Sequence, residues 1–232
     1  MDGKAFRIVA GGVGGSCSGG WKKNERSCYF PRMSTTATPS KRAMTRELIL
    51  DHAYALATRD GLEGLSIGNL AADVGMSKSG VFAHFGSRED LQLAVLDAGA
   101  QRFAAAVMVP ALREPRGLPR LRAIVRRWFD WSCAHAEGCV LLSAVSEYDG
   151  REGALHDGVV RQQSQWREVL AKAAQLAVDA GHFRADADPE QIAFEIYALI
   201  LGLHHDAGLF GFEPASARAD AAFERLWRSW QA

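Results

Sequence analysis

Residues 66–85, SIGNLAADVGMSKSGVFAHF, decide how this chain folds. Ile67, Leu70, Ala71 and Val74 recur at helical spacing and give a short helix one apolar side. Gly75 then stands where the chain must leave that helix, a position that often takes the left-handed conformation open to glycine. Ser77 is placed to cap a second short helix, because its side-chain oxygen can accept an otherwise unpaired backbone N–H. In that second helix Val81 and Phe85 turn back on the helices before them. Lys78, Ser79, Gly80, Phe82, Ala83 and His84 are left on or near the outward face. The pattern is a helix-turn-helix, whose second helix meets base edges and phosphates with its first turns. A three-helix unit with a turn glycine also serves as plain packing, so spacing alone leaves DNA binding open.

Upstream of this stretch, Ile49, Ala53, Leu56 and Ala57 form the stripe of a first helix, and Lys41, Arg42 and Arg46 are expected just ahead of it. Downstream the apolar period stays helical and alternating strand-like runs are absent, which makes the chain all-α with eight or nine helices. Residues 1–40 are rich in Gly, Ser, Thr and Pro and show no sustained period, so a disordered extension is expected there. Within it Met33 opens MSTTATPSKR, an alternative start of the chain.

With 232 residues, 48% hydrophobic and 23% charged, the chain can bury a sizeable core. Its formal net charge is zero, so a DNA-binding reading must rest on the motif and not on composition. The longest apolar run, around residues 192–203, is interrupted by Glu195 and falls short of a membrane span, so no membrane partner is expected. Cys17, Cys28, Cys133 and Cys139 show no CxxC spacing and read as thiols of a cytoplasmic protein.

Cys133, His135 and Cys139 match no zinc spacing, and the adjacent His204 and His205 point about 100° apart on a helix. GGVGG at 11–15 follows the short apolar run FRIVA, but no anion-binding helix begins after it. With no nucleophile elbow, phosphate loop or paired carboxylates in a usable context, no catalytic residue, metal or cofactor is expected.

Residues 45–99 resemble the N-terminal domain of TetR-family regulators along their whole length. The resemblance is carried by Gly61 after helix one, Ser66 at the start of helix two and the turn Gly75 to Ser77. It extends to the aromatic-x-His-Phe ending at Phe82 to Phe85 and to Ser87-Arg88-Glu89-Asp90-Leu91 at the start of helix four. It implies phosphate contacts from Ser66, Lys78, Phe82, His84 and Arg88, and base contacts mainly from Lys78, Ser79, Gly80 and Ala83. Phe82 stands where the family often has tyrosine, so a hydroxyl-to-phosphate bond is lost; His84 reads equally as a partly buried packing residue.

Residues 100–232 resemble the family's effector-binding and dimerisation half more loosely, which divides the chain into 1–40, a DNA-binding domain at 41–88 and a helical domain at 89–232. In PEQIAFEIYALILGLHHDAGLFG, residues 189–211, Ile192, Ile196, Leu199, Ile200 and Leu203 share one face while Phe194, Tyr197 and Leu201 lie on others. A helix apolar nearly all round needs cover on two sides, here its own domain and a second subunit. With the closing helix of Phe223, Leu226, Trp227 and Trp230 it forms the expected two-fold seam, in which Leu203 and Trp227 are placed.

Phe103, Trp128, Trp131, Tyr148, Trp166 and Tyr197, with His204, are candidate walls of an effector pocket; aromatic residues at helical spacing equally make plain core. The expectation is a homodimeric repressor that leaves a palindromic double-stranded operator when a small apolar or aromatic effector binds. The competing readings are a helical enzyme or carrier with a degenerate DNA-binding head, and a protein-binding helical adaptor.

Overall fold

The computed structural model describes residues 40–135 and 138–231. Apart from Ser40, the expected N-terminal extension, with Cys17, Cys28 and Met33, lies outside the described residues. The elements run α1 (Lys41–Gly64), α2 (Ile67–Asp73), α3 (Lys78–Phe85) and α4 (Arg88–Phe103), then a π-helical turn (Ala104–Met108) and α5 (Val109–Ala111). They continue with α6 (Leu118–Ala134), α7 (Val140–Tyr148), α8 (Ala154–Asp179), α9 (Pro189–Phe210) and α10 (Phe212–Trp230). The fold is all-α, as the periodicity requires. The helix tally exceeds the expectation because Pro110, which has no N–H to donate, is preceded by a widened turn and followed by the early end of α5. Lys41, Arg42 and Arg46 lie within the first turns of α1 and not ahead of it, since Ser40 caps that helix through the Ala43 N–H.

Serines set the starts of the next three helices. Ser66, Ser77 and Ser87 each accept a backbone N–H, from Asn69, Gly80 and Asp90 at 3.1, 3.1 and 2.9 Å. Each such cap is worth about 1 kcal/mol, and together they fix where α2, α3 and α4 begin. Gly75 takes the expected left-handed conformation, with φ 65°.

Two hydrophobic cores organise the described residues. One holds Ile49, Ala53, Leu70, Val81, Leu91 and Val95 of α1 to α4. Val140, Ala144 and Tyr148 of α7 and Leu155 and Val159 of α8 are buried in that same core, although they lie far downstream in the sequence. The second core joins Phe103, α6, α8, α9 and α10. Leu141 packs against both.

By length and composition the continuous helical run Arg88–Ala111 is long and apolar enough to cross a membrane. Its Leu91, Val95, Leu96, Phe103 and Val107 are nevertheless buried in the two cores.

Leu203 and Trp227 are each only 2% exposed and sit in the chain's own second core, which corrects their placement in an intersubunit seam. The period was right but the face was wrong. Ile192, Ile196, Tyr197, Ile200 and Leu203 all turn inward against α8 and α10, leaving Phe194 and Leu201 outside at 53% and 37% exposure.

Candidate nucleic-acid interface and effector site

The caps and the buried pair Val81 and Phe85 hold α3 with Lys78, Ser79, Phe82 and Ala83 exposed to solvent. Phe82 is 43% exposed, a large apolar side chain left in water on this face. The Lys78 side chain folds back over the first turn of α2, where a Cβ on Gly68 would meet its Cε at 3.2 Å. That brings its ammonium to the first turn of α2, so that Lys78 and the leading backbone N–H groups of that helix can face one phosphate together.

Gly80 is half-buried, not outward: a Cβ there would lie 3.2 Å from Met76 Cε and 3.3 Å from the capping Ser77 Oγ. His84 is also half-buried, with its Nδ1 enclosed and without a protein partner. The Arg88 guanidinium is held by the protein itself, since Nε donates to the Leu65 carbonyl at 2.9 Å and Nη2 to the Glu63 carbonyl. Its first task is to clasp the link between α1 and α2.

Sequence reasoning missed the groups that brace α3 from behind. Arg42 donates to the Ala83 carbonyl at 2.9 Å, and Arg46 lies over the Phe85 ring at 4.7 Å. Their only signal was a cluster of positive charge, which spacing alone could not distinguish from a DNA contact.

In the second core, five of the candidate effector residues come together. Phe103 meets Trp128, Trp131 and Trp166 edge to face at 5.3, 5.5 and 4.8 Å; Trp128 meets Trp166 at 5.0 Å and Tyr197 at 6.0 Å. The indole N–H groups of Trp131 and Trp166 are buried there without a protein acceptor, an arrangement that leaves polar capacity inside an apolar site. Burial also raises the Tyr197 hydroxyl pKa, partly offset by Arg167. His204 lies two turns beyond Tyr197, half-buried, and burial together with neighbouring His205 lowers its pKa.

Tyr148 departs from the expected grouping. It is buried in the first core, and its hydroxyl donates to Glu63 Oε1 at 2.7 Å, so it joins the α1 end and not the aromatic cluster. That bond, with Arg88 and Arg151 nearby, holds the Glu63 carboxyl below its ordinary range; burial and the same carboxylate raise Tyr148.

His135 stacks on Trp131 at 3.8 Å, exposed Cys133 and buried Cys139 flank it in sequence, and among the described residues no three potential ligands gather round a metal position. On the outer side of α9 and α10, a shallow groove is lined by Phe194, Ala198, Leu199, Ala222, Arg225 and Leu226.

Comparison with known proteins fits this geometry. Residues 49–95 match the model of bacterial regulatory proteins of the tetR family, and residues 117–223 match that of the tetracyclin repressor-like C-terminal domain. The chain belongs to the TetR family. It is thus a DNA-binding transcriptional regulator by family.

A TetR transcriptional regulator from Chloroflexus aurantiacus is 25% identical, with TM-score 0.68, covering 81% of this chain and 94% of that one. A TetR-family regulator from Cytophaga hutchinsonii shares the fold at TM-score 0.71 and 20% identity, covering 84% and 99%. AibR, solved with isovaleryl coenzyme A and operator DNA, shares it at TM-score 0.61 and 22% identity, covering 76% and 96%. No curated protein matches the chain.

Proposed function

We propose that this TetR-family chain is a cytoplasmic homodimeric repressor that binds a palindromic operator through α3 and leaves it when a small apolar or aromatic effector enters the second core. The observation that carries the reading is the capped α2–α3 unit, with Lys78, Ser79, Phe82 and Ala83 presented together on its solvent face. Two such faces related by a two-fold axis read two half-sites one DNA turn apart. The apolar groove between α9 and α10 supports a second copy as the missing cover. The aromatic cluster supports an apolar effector, and its two unpaired indole donors suit one that carries an oxygen acceptor. In AibR the same fold was captured with both isovaleryl coenzyme A and operator DNA, which supports a ligand and DNA sharing one chain of this fold. An effector that spreads the cluster shifts α4 and changes the distance between the two α3 helices.

Selection from a pool of random duplexes, followed by footprinting, tests the reading. Enrichment of an inverted repeat with half-sites about 10 base pairs apart supports it. A purified protein that enriches no sequence supports instead the helical enzyme or carrier with a degenerate head.

A further inference from the structure

The helix α1 breaks before it ends. At Gly61, with φ 76° and ψ 168°, the backbone leaves the helix and resumes for the short turn to Gly64. The N–H groups of Leu62 and Glu63 therefore stand at a new helix start, where backbone donors lose the acceptors of a continuous helix. Their acceptor comes from α7. Glu147 Oε1 receives the Leu62 N–H at 3.2 Å and Oε2 receives the Glu63 N–H at 2.7 Å. One carboxylate thus caps the reopened end with both oxygens, a charge-assisted arrangement favoured by the helix dipole.

The approach depends on glycine. A Cβ at position 61 would stand 2.6 Å from Glu147 Oε1, and the positive φ there already disfavours any other residue. A second close approach reinforces the first: a Cβ on Gly138, in the segment leading into α7, would stand 2.1 Å from the Thr58 carbonyl oxygen. Next to Glu147, Tyr148 bonds Glu63, and Arg151 lies 3.0 Å from the same carboxylate oxygen. The segment carrying α7 therefore grips the end of α1 at residues 58 and 61 to 63. At its other end Leu141, in the first turn of α7, packs against the second core as well as the first.

Resting on the DNA-binding reading above, the geometry points to Glu147 as a positioning residue for operator recognition. It touches no DNA. Its carboxylate fixes the turn by which the chain leaves α1 for Ser66 and α2, and so sets the angle at which α3 is presented. Because Leu141 of α7 also packs against the second core, Glu147 is a point, beside α4, where a displacement in that core reaches the reading head.

The test uses the full chain and a duplex enriched by the wild type, together with duplexes whose half-sites are moved by one base pair. In Glu147→Ala the Leu62 and Glu63 amides exchange at least about tenfold faster, since both lose a bond to a charged acceptor. Affinity for the enriched duplex falls about tenfold, and the preference over the shifted duplexes is lost. Glu147→Gln, which keeps one good acceptor, recovers part of both; should the alanine variant not fold, the glutamine variant carries the same readouts at smaller amplitude. A folded Glu147→Ala with wild-type affinity and spacing preference overturns the role. So does an affinity loss with the spacing preference intact, which marks a merely structural residue. A wild type that enriches no duplex overturns the DNA-binding reading and this role with it, whereas an indifferent variant of a DNA-binding wild type overturns the role alone.

Discussion

Lys78 and Glu63 show how much a single side chain's surroundings decide. Lys78 was a candidate for both phosphate and base, and its course across the first turn of α2 favours the phosphate. Lys78→Ala is therefore expected to weaken all DNA sequences alike and to lower the salt slope of binding by about one per half-site. Titrating binding against salt on enriched and random duplexes checks this, and relaxed preference at a single symmetric base pair would instead assign Lys78 to a base. Gly80→Leu is expected to disturb the start of α3 as well as any DNA contact, because the new side chain starts against Met76 and the Ser77 cap. Glu63 carries a pH dependence. Its carboxyl is held low chiefly by the Tyr148 hydroxyl, then by Arg88 and Arg151. A carboxyl whose folded pKa lies below its unfolded value contributes stability above the ordinary value of 4.5, lost as pH falls through the folded value. Glu63→Gln should melt below the wild type at neutral pH, and the gap should close in acid below that ordinary value. A gap that stays constant across this range would show that the carboxylate charge is not what holds Tyr148.

Between elements, the outer groove of α9 and α10 makes a prediction that the inner face cannot. Phe194 is half-exposed on the groove wall, so Phe194→Glu should leave the protomer folded and convert a dimer to monomers in sedimentation at micromolar concentration. Trp227→Glu should instead unfold the second core, because it buries an unpaired carboxylate at a cost of several kcal/mol. A Phe194→Glu protein that remains dimeric would remove this groove from the interface. The difference between those two residues also shows what the sequence could reveal. The Ser77 cap, the Gly75 turn and the Val81 and Phe85 pair are local signals written within four residues, and each was legible, whereas the Ser40 start of α1 was not. Convergence of Phe103, Trp128, Trp131 and Trp166 was legible too, since large rings at helical spacing seek one interior. In α9, by contrast, nearly every face is apolar, so periodicity cannot say which one meets α10 and which one is left outside. Tyr148 and Glu147 were illegible for another reason: their partners lie about 85 residues upstream, and no local pattern announces a bond across that separation.

Across the described residues, α4 and α8 contribute buried side chains to both cores and Leu141 of α7 packs against both, so a displacement in one core acts on the other. Phe103 of α4 lies in the aromatic cluster, Leu141 of α7 touches both cores, and Tyr148 is fixed to Glu63. If an effector parts the rings of Trp128, Trp131 and Trp166, the same displacement acts on the end of α1. Coupling of this kind is reciprocal: whatever factor the effector takes from operator affinity, the operator takes from effector affinity. A coupling of about 1–3 kcal/mol, or roughly 5- to 150-fold, is the usual range. The cluster supplies its own reporter, because a ligand lying among three tryptophans alters their emission. Titrating apolar and aromatic compounds with and without saturating operator should therefore give two emission curves displaced along the ligand axis by one factor. The operator affinity measured with and without that compound should be displaced by the same factor. Trp166→Phe should keep the displacement while reducing the signal, since it retains a ring against Phe103 and removes one emitter. Two superimposed emission curves, with operator affinity unmoved by a compound that binds the cluster, would show that the second core does not communicate with the reading head.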